Sequence, residues 1–177
     1  MPERHRRYFL KAKESKDLIG KASERLKLDL EQIFKDKLNV EAVETEFAEI
    51  LLINGKPTLV KTGENIYPAL VSKELFDKTP KVVVDMGAVP HVCKGANIMA
   101  PGIRRFESQF QKNDLVFVVD EKHGKPLAIG ETTYDSEEAK SIKQGVVAKN
   151  INYVGDKTWN LLKELAAVHR SHAQTES

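Results

Sequence analysis

The chain is 177 residues long, 41% hydrophobic and 31% charged, with a formal net charge of +2. That length makes one ordinary domain or two small ones, too apolar for a disordered chain and without the run of about 20 apolar residues that carries a helix across a bilayer. The single cysteine, Cys93, excludes an internal disulfide framework and a zinc site built on several thiolates, and the basic opening MPERHRRYFLKAK lacks the apolar core of a secretory peptide, so a cytoplasmic location is expected.

Charge is unevenly placed. The first thirty residues carry nine cations, among them Arg4, Arg6, Arg7 and Lys11, against five acids, whereas Glu31, Asp36, Glu41, Glu44, Glu46 and Glu49 make the next stretch acidic. Tyr8 to Leu10 reads as a short strand. A helix runs from Ser15, its capping residue, to Lys27, with Leu18, Ile19, Ala22 and Leu26 on one stripe. Leu28, Leu30, Ile33 and Phe34 extend it or begin another.

The period then changes. Val43 to Ile50 alternates small or apolar with acidic residues, as a half-buried strand does, and Leu51 to Ile53 continues it. That strand would set Glu44 and Glu46 on one face, a solvated one. Asn54-Gly55 is a hairpin turn, because both central positions of a type I′ turn need positive φ, and Pro57 to Val60 is the return strand. Thr62-Gly63 and Tyr67-Pro68 punctuate the next stretch, Ser72 to Phe76 is a short helical turn, and Thr79-Pro80 marks a domain boundary. Beyond it come a strand at Val82–Val84, helical turns from Ala88 to Lys94 stopped by Gly95, and a strand from Asn97 stopped by Pro101-Gly102. Asp114 to Asp120 and Pro126 to Gly130 form a hairpin around His123-Gly124. Asp135 or Ser136 caps a short acidic helix that Gly145 ends, and Val146–Ala148 and Ile151–Tyr153 are closing strands. Asp156 caps a last helix with Trp159, Leu162 and Ala166 facing inward, and the tail from Arg170 frays. Short strands broken by turns every ten residues or so describe a small barrel.

One stretch concentrates the signal: Val82-Val83-Val84-Asp85-Met86-Gly87-Ala88-Val89-Pro90-His91-Val92-Cys93-Lys94-Gly95-Ala96-Asn97-Ile98-Met99-Ala100-Pro101-Gly102-Ile103. It resembles the PUA domain, a small RNA-binding pseudo-barrel. Asn113 to Val118, Gly124 to Glu131 and Asn150 to Asp156 match three further PUA motifs in order, so the resemblance runs from Lys81 to Leu162. Gly95 to Gly102 is similar to a segment of the malignant-T-cell-amplified-sequence translation factors, which place a pre-PUA module ahead of the PUA domain, and the Asn54-Gly55 hairpin with Tyr67 to Leu70 resembles that module. Ala100, where eukaryotic members carry cysteine, suits an archaeal relative. The resemblance implies an α+β fold: an α+β pre-PUA domain over residues 1–80, a mostly β PUA pseudo-barrel over 81–162, and a C-terminal helix end and tail over 163–177.

The residues themselves offer a chemistry for RNA. A glycine loop before a helix exposes N–H groups to phosphate, which nominates Gly87 and Ala88. A strand from Ala96 to Ile103 would be the facing wall, with Lys94 in reach and Arg104 and Arg105 as phosphate clamps at its exit; the Asn97 amide suits a base edge or 2′-hydroxyl. The resemblance adds Gly95, Pro101, Gly102 and Ile103, and from the closing strand Lys149, Asn150 and Asn152. Plainer readings stand beside these: Gly87, Gly95 and Gly102 as architecture, Arg104 and Arg105 as a solvated pair, Asn97 as satisfying a local turn.

No catalytic residue, metal or cofactor is expected. Cys93 reads as a small buried hydrophobe, and His91, two residues away on a helix, does not face it. His5, His91, His123, His169 and His172 show no metal-ligand spacing, and nucleotide-binding and hydrolase motifs are absent. The expectation is therefore a non-catalytic RNA-binding protein of translation, meeting tRNA or rRNA of the small ribosomal subunit in initiation or ribosome recycling, without membrane attachment. Two alternatives are an accessory subunit of a tRNA- or rRNA-modifying enzyme, and a protein-interaction adaptor that docks a partner on its N-terminal module, which an exposed apolar patch on the Ile50–Val60 hairpin would favour.

Overall fold

The computed structural model describes residues 5–35 and 37–175, with side chains as far as Val168. Arg4, Asp36, the side chains of His169 and His172, and the side chains of the tail from Arg170 onward lie outside the described residues. Two compact units divide the chain: Met1–Asp77 together with Asn160–Ser177, and Lys78–Trp159.

The first unit is built on an antiparallel meander, β1 (Arg6–Phe9), β2 (Val40–Glu44), β3 (Glu49–Ile53), β4 (Lys56–Thr62) and β5 (Asn65–Pro68), paired in that order. Two helices, α1 (Ala12–Leu26) and α2 (Leu30–Phe34), separate β1 from β2, and α3 (Lys73–Lys78) comes after β5. Ile19, Ala22 and Leu30 from the helices pack with Val40, Ala42, Leu51, Ile53, Leu59 and Ile66 from the sheet. The other sheet face, with Val43, Ile50, Leu52 and Val60, is equally buried. Burial on both faces explains the near-continuous apolar run from Ile50 to Ile53.

Several local expectations change. α1 begins at Ala12, not Ser15; Glu14 accepts from the Lys11 N–H (3.4 Å), and Lys27 ends the helix at φ 56°. Asp29 caps a separate α2 by accepting from the Gln32 N–H. The strand expected from Val43 through Ile50 is two strands. Thr45 Oγ1 accepts from the Phe47 and Ala48 N–H groups and donates to the Ala48 carbonyl, folding a tight turn that leaves Glu44 at a strand end and Glu46 in the turn. Asn54-Gly55 does form the hairpin, at φ 52° and 85°.

The second unit is a curled sheet of β6 (Lys81–Val84), β7 (Ile98–Met99), β8 (Ile103–Glu107), β9 (Leu115–Asp120), β10 (Pro126–Thr132) and β11 (Val146–Tyr153), in the order β7-β11-β10-β9-β6-β8. Only β6 with β9 is parallel. A one-turn helix, α4 (Val89–Val92), comes after β6, and α5 (Ser136–Ser141) after β10. The sheet's two edges, β7 and β8, are joined by the three-residue 3-10 turn Ala100–Gly102. Four residue steps from Met99 to Ile103 span at most about 14 Å, so connectivity alone forces the edges together and curls the sheet. Val82, Val84, Val116, Val118, Ala128, Val147 and Ala148 fill the interior together with Val92 from α4 and Ile98 from β7.

Here too the structure corrects the sequence. The wall expected from Ala96 to Ile103 is interrupted: β7 is two residues long and the chain turns before β8 begins. The two closing strands are one, β11, with a register shift opposite Ile129/Gly130. α5 ends at Ser141, with Ile142 already extended, so Gly145 (φ 98°) belongs to the next turn and does not stop the helix; Asp135, not Ser136, is its cap. The last helix, α6 (Lys157–Thr175), is capped by Asp156, and its backbone stays helical past Arg170. Its buried face is Thr158, Leu161, Leu162 and Leu165; of the three residues expected inside, only Leu162 is buried, while Trp159 and Ala166 are half-exposed.

Candidate nucleic-acid interface

The candidate residues lie along the path from β6 through α4 and β7 to β8, and on β11. Asp85 organises the loop before α4. Its carboxylate accepts the Ala88 N–H (2.8 Å), and its own N–H donates to the Gly102 carbonyl (2.8 Å). The loop is thereby fastened to the 3-10 turn, and the Ala88 amide expected to face phosphate is already used. Gly102 shares this junction: a Cβ there would lie 3.0 Å from the Ala88 methyl. Gly87 is exposed on the same loop.

At the far end of α4, Gly95 adopts φ 95°, and a Cβ there would meet the Tyr153 ring at 3.0 Å. β11 then clasps the segment from the side. Asn150 donates both to Val92 O (3.1 Å) and to Ala96 O (3.0 Å), and its backbone N–H donates to Asn97 Oδ1 (3.0 Å). Asn97 and Asn150 therefore fix α4 and β7 against β11; the Asn97 side chain is tied to a strand 53 residues away, not to a local turn. Asn152 is 1% exposed and donates to the Asp156 carboxylate that caps α6. It braces the strand's exit and does not reach the surface.

Lys94, Ala96, Asn97, Pro101 and Lys149 are exposed, and Ile103 is half-buried. Val83 and Val84 of β6 pair with Arg105 and Ile103 respectively, so Arg104 is the extra residue of a bulge. Such a bulge re-aims a side chain: Arg104 reaches Glu121 (2.8 Å), while Arg105 reaches Glu107 (3.2 Å), both arginines remaining more than half exposed. The arginines are thus on the sheet's opposite edge from β7, brought near it only by the Ala100–Gly102 turn. Between Asp85 and Glu107 the chain carries Lys94, Arg104 and Arg105 and not one carboxylate.

Cys93 is half-buried and burial pushes its thiol pKa up, opposite to a nucleophile's need. Among the described residues no group of three or more His, Cys, Asp or Glu side chains is placed to hold a metal, and no helix is long and apolar enough to cross a membrane. The Ile50–Val60 hairpin offers no apolar patch, since Ile50, Leu51, Leu52, Ile53, Leu59 and Val60 are all buried. The fastening role of Asp85 is one that sequence reasoning missed, although an aspartate three residues ahead of a helical turn is a common acceptor for that turn's N–H.

Residues 80–154 match the PUA domain, and residues 6–72 match DUF1947, a domain of unknown function. The chain is 39% identical over 160 residues to the uncharacterized protein MJ1432 of Methanocaldococcus jannaschii, covering 89% of this chain and 98% of that one. It is 28% identical to translation machinery-associated protein 20 of Saccharomyces cerevisiae, covering 76% of this chain and 79% of that one, and 30% identical to malignant T-cell-amplified sequence 1 of Rattus norvegicus, covering 75% and 76%. The crystal structure of hypothetical protein PH0734.1 from Pyrococcus horikoshii superposes with a TM-score of 0.74 at 32% identity, covering 89% of this chain and 99% of that chain. The fastened loop, the acid-free path and the curled sheet are accordingly those of a PUA domain behind a DUF1947 module, and this chain belongs to the family of the malignant T-cell-amplified sequence proteins.

Proposed function

We propose that this chain is a non-catalytic RNA-binding protein of the translation machinery, contacting tRNA or small-subunit rRNA during initiation or ribosome recycling. The observation that carries the reading is the 21-residue path from Met86 to Phe106, which forms α4, β7, the 3-10 turn and β8 with three cations and no acid. Exposed Lys149 on β11 adds a fourth cation beside it. The formal charge of +2 resides wholly in the second unit, with 12 Lys and Arg against 10 Asp and Glu, too small an excess to attract RNA without this placement. Kinship with a translation machinery-associated protein supplies the cellular context. On this reading Lys94, Arg104, Arg105 and Lys149 hold phosphates; Gly87, Ala96, Asn97, Pro101 and Ile103 form the contact surface; Ala88, Gly95, Gly102, Asn150 and Asn152 keep it in shape.

The test is RNA binding as a function of salt. Lys94→Glu combined with Lys149→Glu should weaken binding of structured and unstructured RNA by about tenfold or more at low salt. It should also flatten the slope of log affinity against log salt, by about 0.7–0.9 for each phosphate no longer held. Unchanged affinity and slope in a folded double variant would refute the assignment.

A further inference from the structure

We propose that the cavity between β8 and α5 receives one unpaired nucleotide of the bound RNA, its base against an apolar floor and its phosphate among Arg104, Arg105 and Lys140. The inference rests on the RNA-binding reading and names what one part of that surface takes.

The cavity measures about 320 Å³, the lower end of the range for ligand pockets and the scale of a single nucleotide. Its floor is Ala100, Ile103, Phe106, Ala139 and Ile142. Phe106 is held edge-to-face against Phe110, ring centroids 5.4 Å apart at 71°, and Ala139 is buried. The floor is therefore preformed and offers a base an apolar surface. A base stacked inside a duplex cannot enter a recess of this size, whereas a base of a single strand, loop or end can be splayed into one.

The rim supplies the second half of the recognition. Arg104, Arg105 and Lys140 all line the cavity, and no carboxylate does. Their partners, Glu121, Glu107 and Glu137, are outside the lining, at 2.8, 3.2 and 3.0 Å. These are exposed ion pairs, which contribute about 0–1 kcal/mol each, so a phosphate can take over the cations at little cost. Arginine's planar fork binds phosphate through two parallel hydrogen bonds, and the β8 bulge is what sends Arg104 outward. Other cavities differ in this respect. One of about 760 Å³ in the first unit mixes Lys16, Lys35 and Lys37 with Glu31, and one of about 540 Å³ sets Lys56 against Glu74 at 3.3 Å.

Fluorescence anisotropy of the full chain tests the proposal with three probes: a labelled single-stranded oligoribonucleotide, the same sequence as a blunt duplex, and adenosine monophosphate as competitor. Lys140→Glu, on the exposed side of α5, and Ile142→Ser, on the floor, should each weaken single-strand binding about tenfold and leave duplex binding within about twofold. Circular dichroism checks folding, and Lys140→Glu alone decides the matter should Ile142→Ser not fold. Equal losses for single strand and duplex would overturn the nucleotide pocket in favour of a general charge effect. Adenosine monophosphate binding as tightly as the strand would overturn it in favour of a free-nucleotide site. Wild-type affinity in both variants, with Lys94→Glu/Lys149→Glu still weakened, would remove the pocket and leave the RNA-binding reading standing. A wild-type protein that binds neither RNA would remove both.

Discussion

Asp120 closes β9 as a residue only 4% exposed, and three donors explain why it is tolerated there. Burial pushes its pKa up, but the backbone N–H groups of His123 and Lys125, the charge of His123 and the Lys122 N–H together outweigh burial and hold it below the ordinary value of 3.8. The charged form is thus the one the fold prefers. Its contribution to stability is fully present above the unfolded value and is lost as pH falls through the lower folded value. Asp120→Ala should cost about 1–3 kcal/mol at neutral pH, as expected for hydrogen bonds to a charged acceptor. Thermal unfolding measured from pH 7 down to pH 3 checks both statements. The variant should melt lower at pH 7 and lose less further stability below pH 4 than wild type; parallel pH curves would show that Asp120 does not carry the effect. Nothing in the string Val118-Val119-Asp120 reveals that this aspartate is buried, because the donors come from a turn whose shape is set only once β9 and β10 pair.

At the scale of elements, legibility depended on whether one residue carried its own reason. Asn54-Gly55 was readable because few residues accept two successive positive φ angles. Asp156, ahead of α6, was readable as a cap because its side chain answers the N–H of Trp159 locally. The β2–β3 turn was not, since Glu44 and Glu46 imitate strand alternation while the deciding interaction is the Thr45 hydroxyl folding back on Ala48. Neither was β11 as one strand: Lys149-Asn150 looks like a break, but Asn150 is turned inward to clasp Val92 and Ala96 across more than fifty residues. Gly95 combines both kinds of information. Its place after α4 was legible; the Tyr153 ring packed over it was not. Gly95→Ala therefore faces a strained backbone and a 3.0 Å approach to the ring at once, and should destabilise the second unit by about 1–3 kcal/mol. An unchanged melting temperature would mean the ring moves aside freely.

For the molecule as a whole, the RNA surface and the first unit are separable claims. The PUA-like order of motifs from Lys81 onward was visible because it is local in sequence: β6, β9 and β10 carry their own apolar runs, and Gly95, Gly102 and Gly124 mark turns between elements. The assembly of the candidate surface was less so. Arg104 and Arg105 were expected at the end of one continuous wall with Ala96, yet the chain turns at Ala100–Gly102 and carries them to the other edge of the sheet. That edge position depends on β8 pairing with β6, a pairing between strands about twenty residues apart. Every residue assigned to the surface falls within Lys78–Trp159, whose buried cluster from Val82 to Ala148 is internal to that unit. A fragment of residues 78–159 should accordingly unfold cooperatively and bind single-stranded RNA within about threefold of the full chain, a difference of about 0.7 kcal/mol or less. Deletion of residues 1–77 alone is the poorer experiment, because Asn160–Ser177 belongs with the first unit and would be left without it. If the 78–159 fragment folds but binds RNA a hundredfold more weakly, the cations of the first unit, led by Arg6, Arg7 and Lys11, supply the missing contacts, and the RNA surface must be redrawn to include β1.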